Sequence, residues 1–185
     1  KAFCRVQEHY ESPKFRGQVF TFGKFREWYT EQKGAFSYFT DWAGFNVPGE
    51  AFRLFFQGSF DPLTAAEAEV LNIIRAKKEP FYVIGTYKGG DFSVYVHEVC
   101  HALYATNKMY RYNVDTILNH FWKELAPVRA EMVKLGYNDA VIRDEVHAYM
   151  SASTDWLDSE KVPYPEVAHQ LLLKERQKVI RRLKK

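Results

Sequence analysis

The sequence predicts an α+β fold, with one domain over residues 1–160 and a basic amphipathic helix over 161–185. Three observations carry that expectation. The run Phe81-Tyr-Val-Ile-Gly-Thr-Tyr-Lys88 is β-branched and aromatic, as a strand requires. Apolar residues recur at helical spacing in 64–78, 92–107 and 139–153. The chain has 185 residues, 46% of them hydrophobic and 17% aromatic, enough to bury a core rather than stay disordered.

Each element has a local justification. A helix is expected from Phe22 to Lys33, with Phe25, Trp28 and Tyr29 on one face and Gly34 as its stop. The aromatic stretch AFSYFTDWAGFNVPG that follows is rich in turn residues and reads as a core sheet with its corners; Ala51 to Phe56 reads as a further strand. Thr64, with Glu67 three residues on, marks the start of the helix 64–78. Ala66, Val70, Ile73 and Lys77 follow one side of it, Leu71 and Ile74 widen the apolar face, and the helix is expected to back the sheet.

Gly89-Gly90-Asp91 turns the strand 81–88 into the helix 92–107, with Asp91 or Ser93 as its cap. Val114 to about Leu135 reads as helical with a break near Pro127, and Gly136 ends it. Asn138 or Asp139 then opens a helix through about Ser153. After Pro163 and Pro165 comes the last helix, whose stripe is Leu172, Val179, Ile180 and Leu183. Lys174, Arg176, Lys178, Arg181, Arg182, Lys184 and Lys185 take most of its remaining surface, as expected of a solvated helix or of a dock for an acidic partner or nucleic acid.

A formal charge of +3 is too small to imply a nucleic-acid partner, and no run approaches transmembrane length. Cys4 and Cys100 provide no disulfide framework, which agrees with a reducing compartment. The first residue is Lys1 rather than Met, as in a processed or excised piece. The expected location is cytoplasmic, or that of a secreted effector if an export signal lies outside these residues.

The chemistry concentrates in His97-Glu98-Val99-Cys100-His101. On a helix the two imidazoles stand one turn apart with the carboxylate at their flank, the pattern of a zinc site with its own general base. From Phe92 to Asn107 nothing outside the motif is charged, so this helix is expected to be buried on nearly every side. Cys100, three residues from His97 and one from His101, is badly aimed for coordination and suits packing. Catalytic zinc keeps one position for water and takes three protein ligands, so one ligand comes from elsewhere. The metzincin extension would place glycine at 104 and histidine at 107, where this chain has Tyr104 and Asn107. Glu145 is the leading candidate: it shares a face with Val141, Ala148, Tyr149 and Ala152, whereas His147 shares its side with Arg143, Ser151 and Thr154. A surface role for Glu145, with His147 or Asp144 as the ligand, stays open.

HEVCH followed downstream by DEVHAY resembles the gluzincin group of zinc metallopeptidases, in which a Glu on a later helix is the third ligand. The likeness covers Phe81 to about Ala152. HALY, LGY and DExxAY also resemble a family of short bacterial and phage proteins that carry this site, a likeness that extends upstream through DWAGFNVP and FDPL. The resemblance implies Zn2+ on His97, His101 and Glu145, Glu98 as general base, a protein or peptide substrate, and a zincin-like fold with 81–88 as the sheet edge nearest the metal. Asp144 departs from the Asn of many gluzincins and Tyr149 from the second carboxylate of some, which leaves open what orients the histidines. Tyr137 and Tyr149 are the candidate oxyanion donors. The rival readings are a zinc hydrolase of small-molecule amides or esters and a catalytically silent, metal-stabilised binding module.

Overall fold

The computed structural model describes residues 3–12, 14–41, 44–86, 89, 91–137 and 139–183. Among them the architecture is mostly helical with one two-stranded antiparallel sheet, an α+β fold in general terms. Two compact units make up the chain, Lys1–Lys88 and Gly89–Lys185.

In the first unit, helix α1 (Cys4–Glu11) has no side-chain cap at Phe3, so no local signal announces it. Helix α2 (Phe22–Lys33) has both signals: the Thr21 hydroxyl accepts from the Lys24 amide, and Gly34 turns left-handed at φ 78°. A short helix α3 (Tyr38–Asp41) and strand β1 (Gly44–Pro48) follow; Trp42 and Ala43 lie outside the described residues. The strand expected over 51–56 is not formed. A 3-10 turn over Gly49–Phe52 runs into helix α4 (Arg53–Phe56). Helical spacing buries Phe52 and Phe55 three residues apart and leaves Arg53 and Phe56 exposed, a pattern that strand alternation cannot produce.

Helix α5 (Ala65–Ile74) begins with the expected capping box, Thr64 and Glu67 each bonding the other's amide. It ends short of residue 78, and its buried line is Glu67, Leu71 and Ile74, with Ile73 65% exposed. The helix is rotated by Glu67, whose carboxylate takes a bidentate pair from Arg5 of α1, Nε to Oε1 at 2.7 Å and Nη2 to Oε2 at 2.5 Å. Strand β2 (Tyr82–Thr86) pairs antiparallel with β1, Phe45 opposite Gly85 and Val47 opposite Val83. Among the described residues the sheet has two strands, both of them edges, so β2 is an edge strand. Tyr87 and Lys88 of the expected strand, like Gly90 of the turn after it, lie outside the described residues. The Phe45 ring covers Gly85 so closely that a Cβ there would meet it at 1.8 Å.

The second unit is helical among its described residues. Helix α6 (Phe92–Thr106) is capped by Asp91, which accepts from the Ser93 amide. Asn107 closes it and caps helix α7 (Lys108–Phe121), accepting from the Tyr110 amide; α7 therefore starts before Val114. The break falls at 122–125, and Pro127 sits in the first turn of helix α8 (Ala126–Lys134). Gly136, at φ 94°, precedes helix α9 (Asp139–Ala152), and Asn138 lies outside the described residues. A short helix α10 (Asp155–Ser159), unannounced in the sequence, and helix α11 (Glu166–Leu183) complete the unit.

Helix α6 is not buried on nearly every side. Packing from α7 and α9 covers Cys100, His101 and Leu103, while Phe92 is 73% exposed. The last helix, expected to stand apart from the 1–160 domain, packs on α7 and α9 through Leu172 and Val179. Leu183 of its stripe is exposed, and Lys184 and Lys185 lie outside the described residues. Arg176 is no free surface charge: its Nη1 donates to the Ala152 carbonyl at the end of α9 at 3.2 Å. No described helix is long and apolar enough to cross a membrane.

Candidate metal site

Helical periodicity assembles the site. His97 and His101, four residues apart on α6, present Nε2 to Nε2 at 3.0 Å. Helix α9 packs against α6 and brings Glu145 to both, its Oε2 3.5 Å from His97 Nε2 and 3.7 Å from His101 Nε2. Among the described residues these three donors lie within 4.8 Å of one another. Tetrahedral coordination at ordinary zinc–nitrogen lengths separates donors by about 3.3 Å, so the spacing suits a single ion. The donor chemistry agrees, since Glu145 Oε2 is buried without a hydrogen-bond partner among the described residues. A buried carboxylate oxygen facing two imidazole nitrogens calls for a cation.

The neighbouring residue of α9 carries a second carboxylate, turned about 100° from Glu145. Asp144 Oδ2 lies 3.0 Å from His101 Nδ1, so one helix addresses both nitrogens of that ring. The other oxygen, Oδ1, lies 3.2 Å from Nδ1 of His147, whose Nε2 is 2.8 Å from the Tyr110 hydroxyl. His147 is fully buried, and Tyr104 stacks on it at 5.1 Å while donating to Asp115 at 2.7 Å. Neither Asp144 nor His147 belongs to the three-donor group. The polar side expected for His147 is in fact interior, with Ser151 also buried. Asp144, His147 and Tyr110 are the site residues that sequence reasoning missed in these roles. Their signal was the spacing of Asp144 and His147, three residues apart on one helix face.

Charge and burial oppose each other here. Burial pulls His101 down, but the hydrogen bond and charge of Asp144, with Glu145 and Glu98, raise it to about 9. Burial works to raise Asp144, and the bonds from His101 and His147 outweigh it, holding the carboxyl well below its usual range. Burial lowers His147 against the pull of Asp144. Cys100 is fully buried, lies outside the three-donor group and is pushed up by burial to about 12, as in a packing thiol.

Both candidate tyrosines lie close by. The Tyr149 ring meets His97 edge-on at 4.7 Å, and Tyr137 shares a side-chain hydrogen bond with Tyr149. Burial raises both phenols, with the charges of Glu145 and Glu98 adding to it, so both tyrosines are neutral donors near these carboxylates. Glu98 is 8% exposed and lies outside the three-donor group. Searches of protein-family models, curated proteins and solved structures find no match to this chain, so the site rests on its own geometry.

Proposed function

We propose that the chain is a zinc-dependent peptidase with a zincin-like site of the gluzincin kind, in which His97, His101 and Glu145 hold the metal. The observation that carries this reading is the buried, unpartnered Oε2 of Glu145 opposite two imidazole nitrogens one helical turn apart. Zinc held by these residues would supply a water of near-neutral pKa and polarise a carbonyl oxygen. Glu98 takes the proton from the attacking water and returns it to the leaving amine. Tyr149 is the donor for the developing oxyanion, and Tyr137 supports its hydroxyl. Asp144 holds the His101 ring through Nδ1 and leaves Nε2 for the metal.

The test is cleavage of a denatured protein by the zinc-loaded chain beside its Glu98→Gln variant. The variant should keep its zinc and lose roughly a hundredfold or more in rate. Undiminished cleavage by Glu98→Gln, or loss of zinc in it, removes the proposed base. A wild-type chain that holds zinc and cleaves no peptide is instead a small-molecule hydrolase or a binding module.

A further inference from the structure

Resting on that reading of the site, we infer that His147 is a positioning residue, which with Tyr110 locks the Asp144 carboxylate against His101. Four groups form one polar chain within the second unit, with Asp144 its partly exposed link: Tyr110 hydroxyl to His147 Nε2 at 2.8 Å, His147 Nδ1 to Asp144 Oδ1 at 3.2 Å, and Asp144 Oδ2 to His101 Nδ1 at 3.0 Å. The donors follow one direction. Each Asp144 oxygen faces a ring nitrogen and a carboxylate oxygen accepts, so both imidazoles give it their Nδ1 protons. His147 Nε2 is then an acceptor, and the Tyr110 hydroxyl is the donor that fills it. The remaining atom of the chain, His101 Nε2, faces His97 and Glu145.

Geometry and burial explain why a histidine stands at position 147. Asp144 has two oxygens; the bond from His101 uses one, and without a second anchor the carboxylate is free to rotate about its Cβ–Cγ bond. His147 has no exposure and Tyr110 has 1%, so the anchor is rigid and dry, and Tyr104 stacked on the ring fixes its plane. Tyr110 comes from α7, His147 from α9 and His101 from α6; the chain therefore ties three helices to the ring that presents the ligand nitrogen.

Two substitutions separate positioning from filling space. His147→Asn places an amide N–H near the former Nδ1 and keeps the bond to Asp144, although it loses Tyr110. His147→Gln reaches toward Tyr110 and abandons Asp144. In the metal-free full chain, the His101 Nδ1 proton should appear by 1H–15N NMR as a slowly exchanging imidazole proton in the wild type and in His147→Asn, and be lost in His147→Gln. Zinc titration should give the same dissociation constant for the wild type and His147→Asn within about threefold, and one weaker by about 10–100-fold for His147→Gln. A protected proton in both variants, or its loss in both, overturns the inference, because cavity effects alone do not tell the two apart. The proton pattern in a chain whose wild type ignores zinc upholds the positioning role and removes the metal reading instead.

Discussion

The two units bury ionisable groups in opposite ways. In the first, Arg5 and Glu67 saturate each other: the guanidinium gives two bonds to the carboxylate and a third to the Phe60 carbonyl, while Glu67 also accepts from the Thr64 amide. In the second, His97, His101 and Glu145 face one another and leave Glu145 Oε2 without a hydrogen bond among the described residues. A saturated buried pair is a structural staple, whereas the unsaturated cluster is the feature on which the proposed metal site rests. The surroundings differ accordingly. The staple sits among Phe55 and Phe60, with the Arg5 charge 5.4 Å from the Phe60 ring centre, whereas the cluster is backed by Asp144, His147 and Tyr110.

The largest expected effect is the loss of the staple. Arg5→Met should cost about 3–5 kcal/mol in urea unfolding at pH 7, since it leaves Glu67 buried and unpaired. Burial acts to raise Glu67, but its bonds from Arg5 and Thr64 outweigh that and hold its folded pKa below the usual value. The stabilisation is therefore complete above the unfolded carboxylate pKa, about 4.3, and fades as the pH falls through the lower folded value. A gap between wild type and variant that widens on acidification would contradict the assignment.

Next in size is the response of the cluster to zinc. At about a hundred times the dissociation constant the ion should stabilise the wild type by about 2.7 kcal/mol in thermal unfolding, and leave His97→Ala unmoved. Equal stabilisation of both proteins would place the zinc elsewhere.

The smallest effect compares the two carboxylates directly. In metal-free protein Glu145→Gln should lower the thermal midpoint less than Glu67→Gln does, because Glu145 Oε2 has no hydrogen bond among the described residues and gives up only its attraction to the imidazoles of His97 and His101 at 3.5 and 3.7 Å; it should also abolish zinc binding. Equal falls in the two variants would show that Glu145 is as fully paired as Glu67.

Legibility followed the range of the interaction. Thr64 with Glu67, Gly34, Asp91 and Gly136 act within a few residues, and helices begin or end where they stand. The motif helix and Glu145 on α9 were also legible, because helical spacing alone aligns His97 with His101 and sets Glu145 on a face with Tyr149. The segment 51–56 was not: its apolar letters suit a strand, and only the shared core of Phe52, Phe55 and Phe60 makes helical spacing the better burial. Uncapped α1 carries no local signal, and the reason for its place, Arg5 meeting Glu67, lies 62 residues away.

By itself the sequence determined the chemical inventory and its phase on each helix: two imidazoles one turn apart, a carboxylate beside them, and a later helix carrying Asp144, Glu145 and His147. Tertiary structure alone decided which nitrogen meets which oxygen. Packing of α9 on α6 aims Glu145 at Nε2 and Asp144 at Nδ1 of His101, and α7 delivers Tyr110 to His147. The physical reason is that helical periodicity sets the direction of a side chain about its own axis, whereas the distance between groups on different helices comes from how their apolar faces interlock.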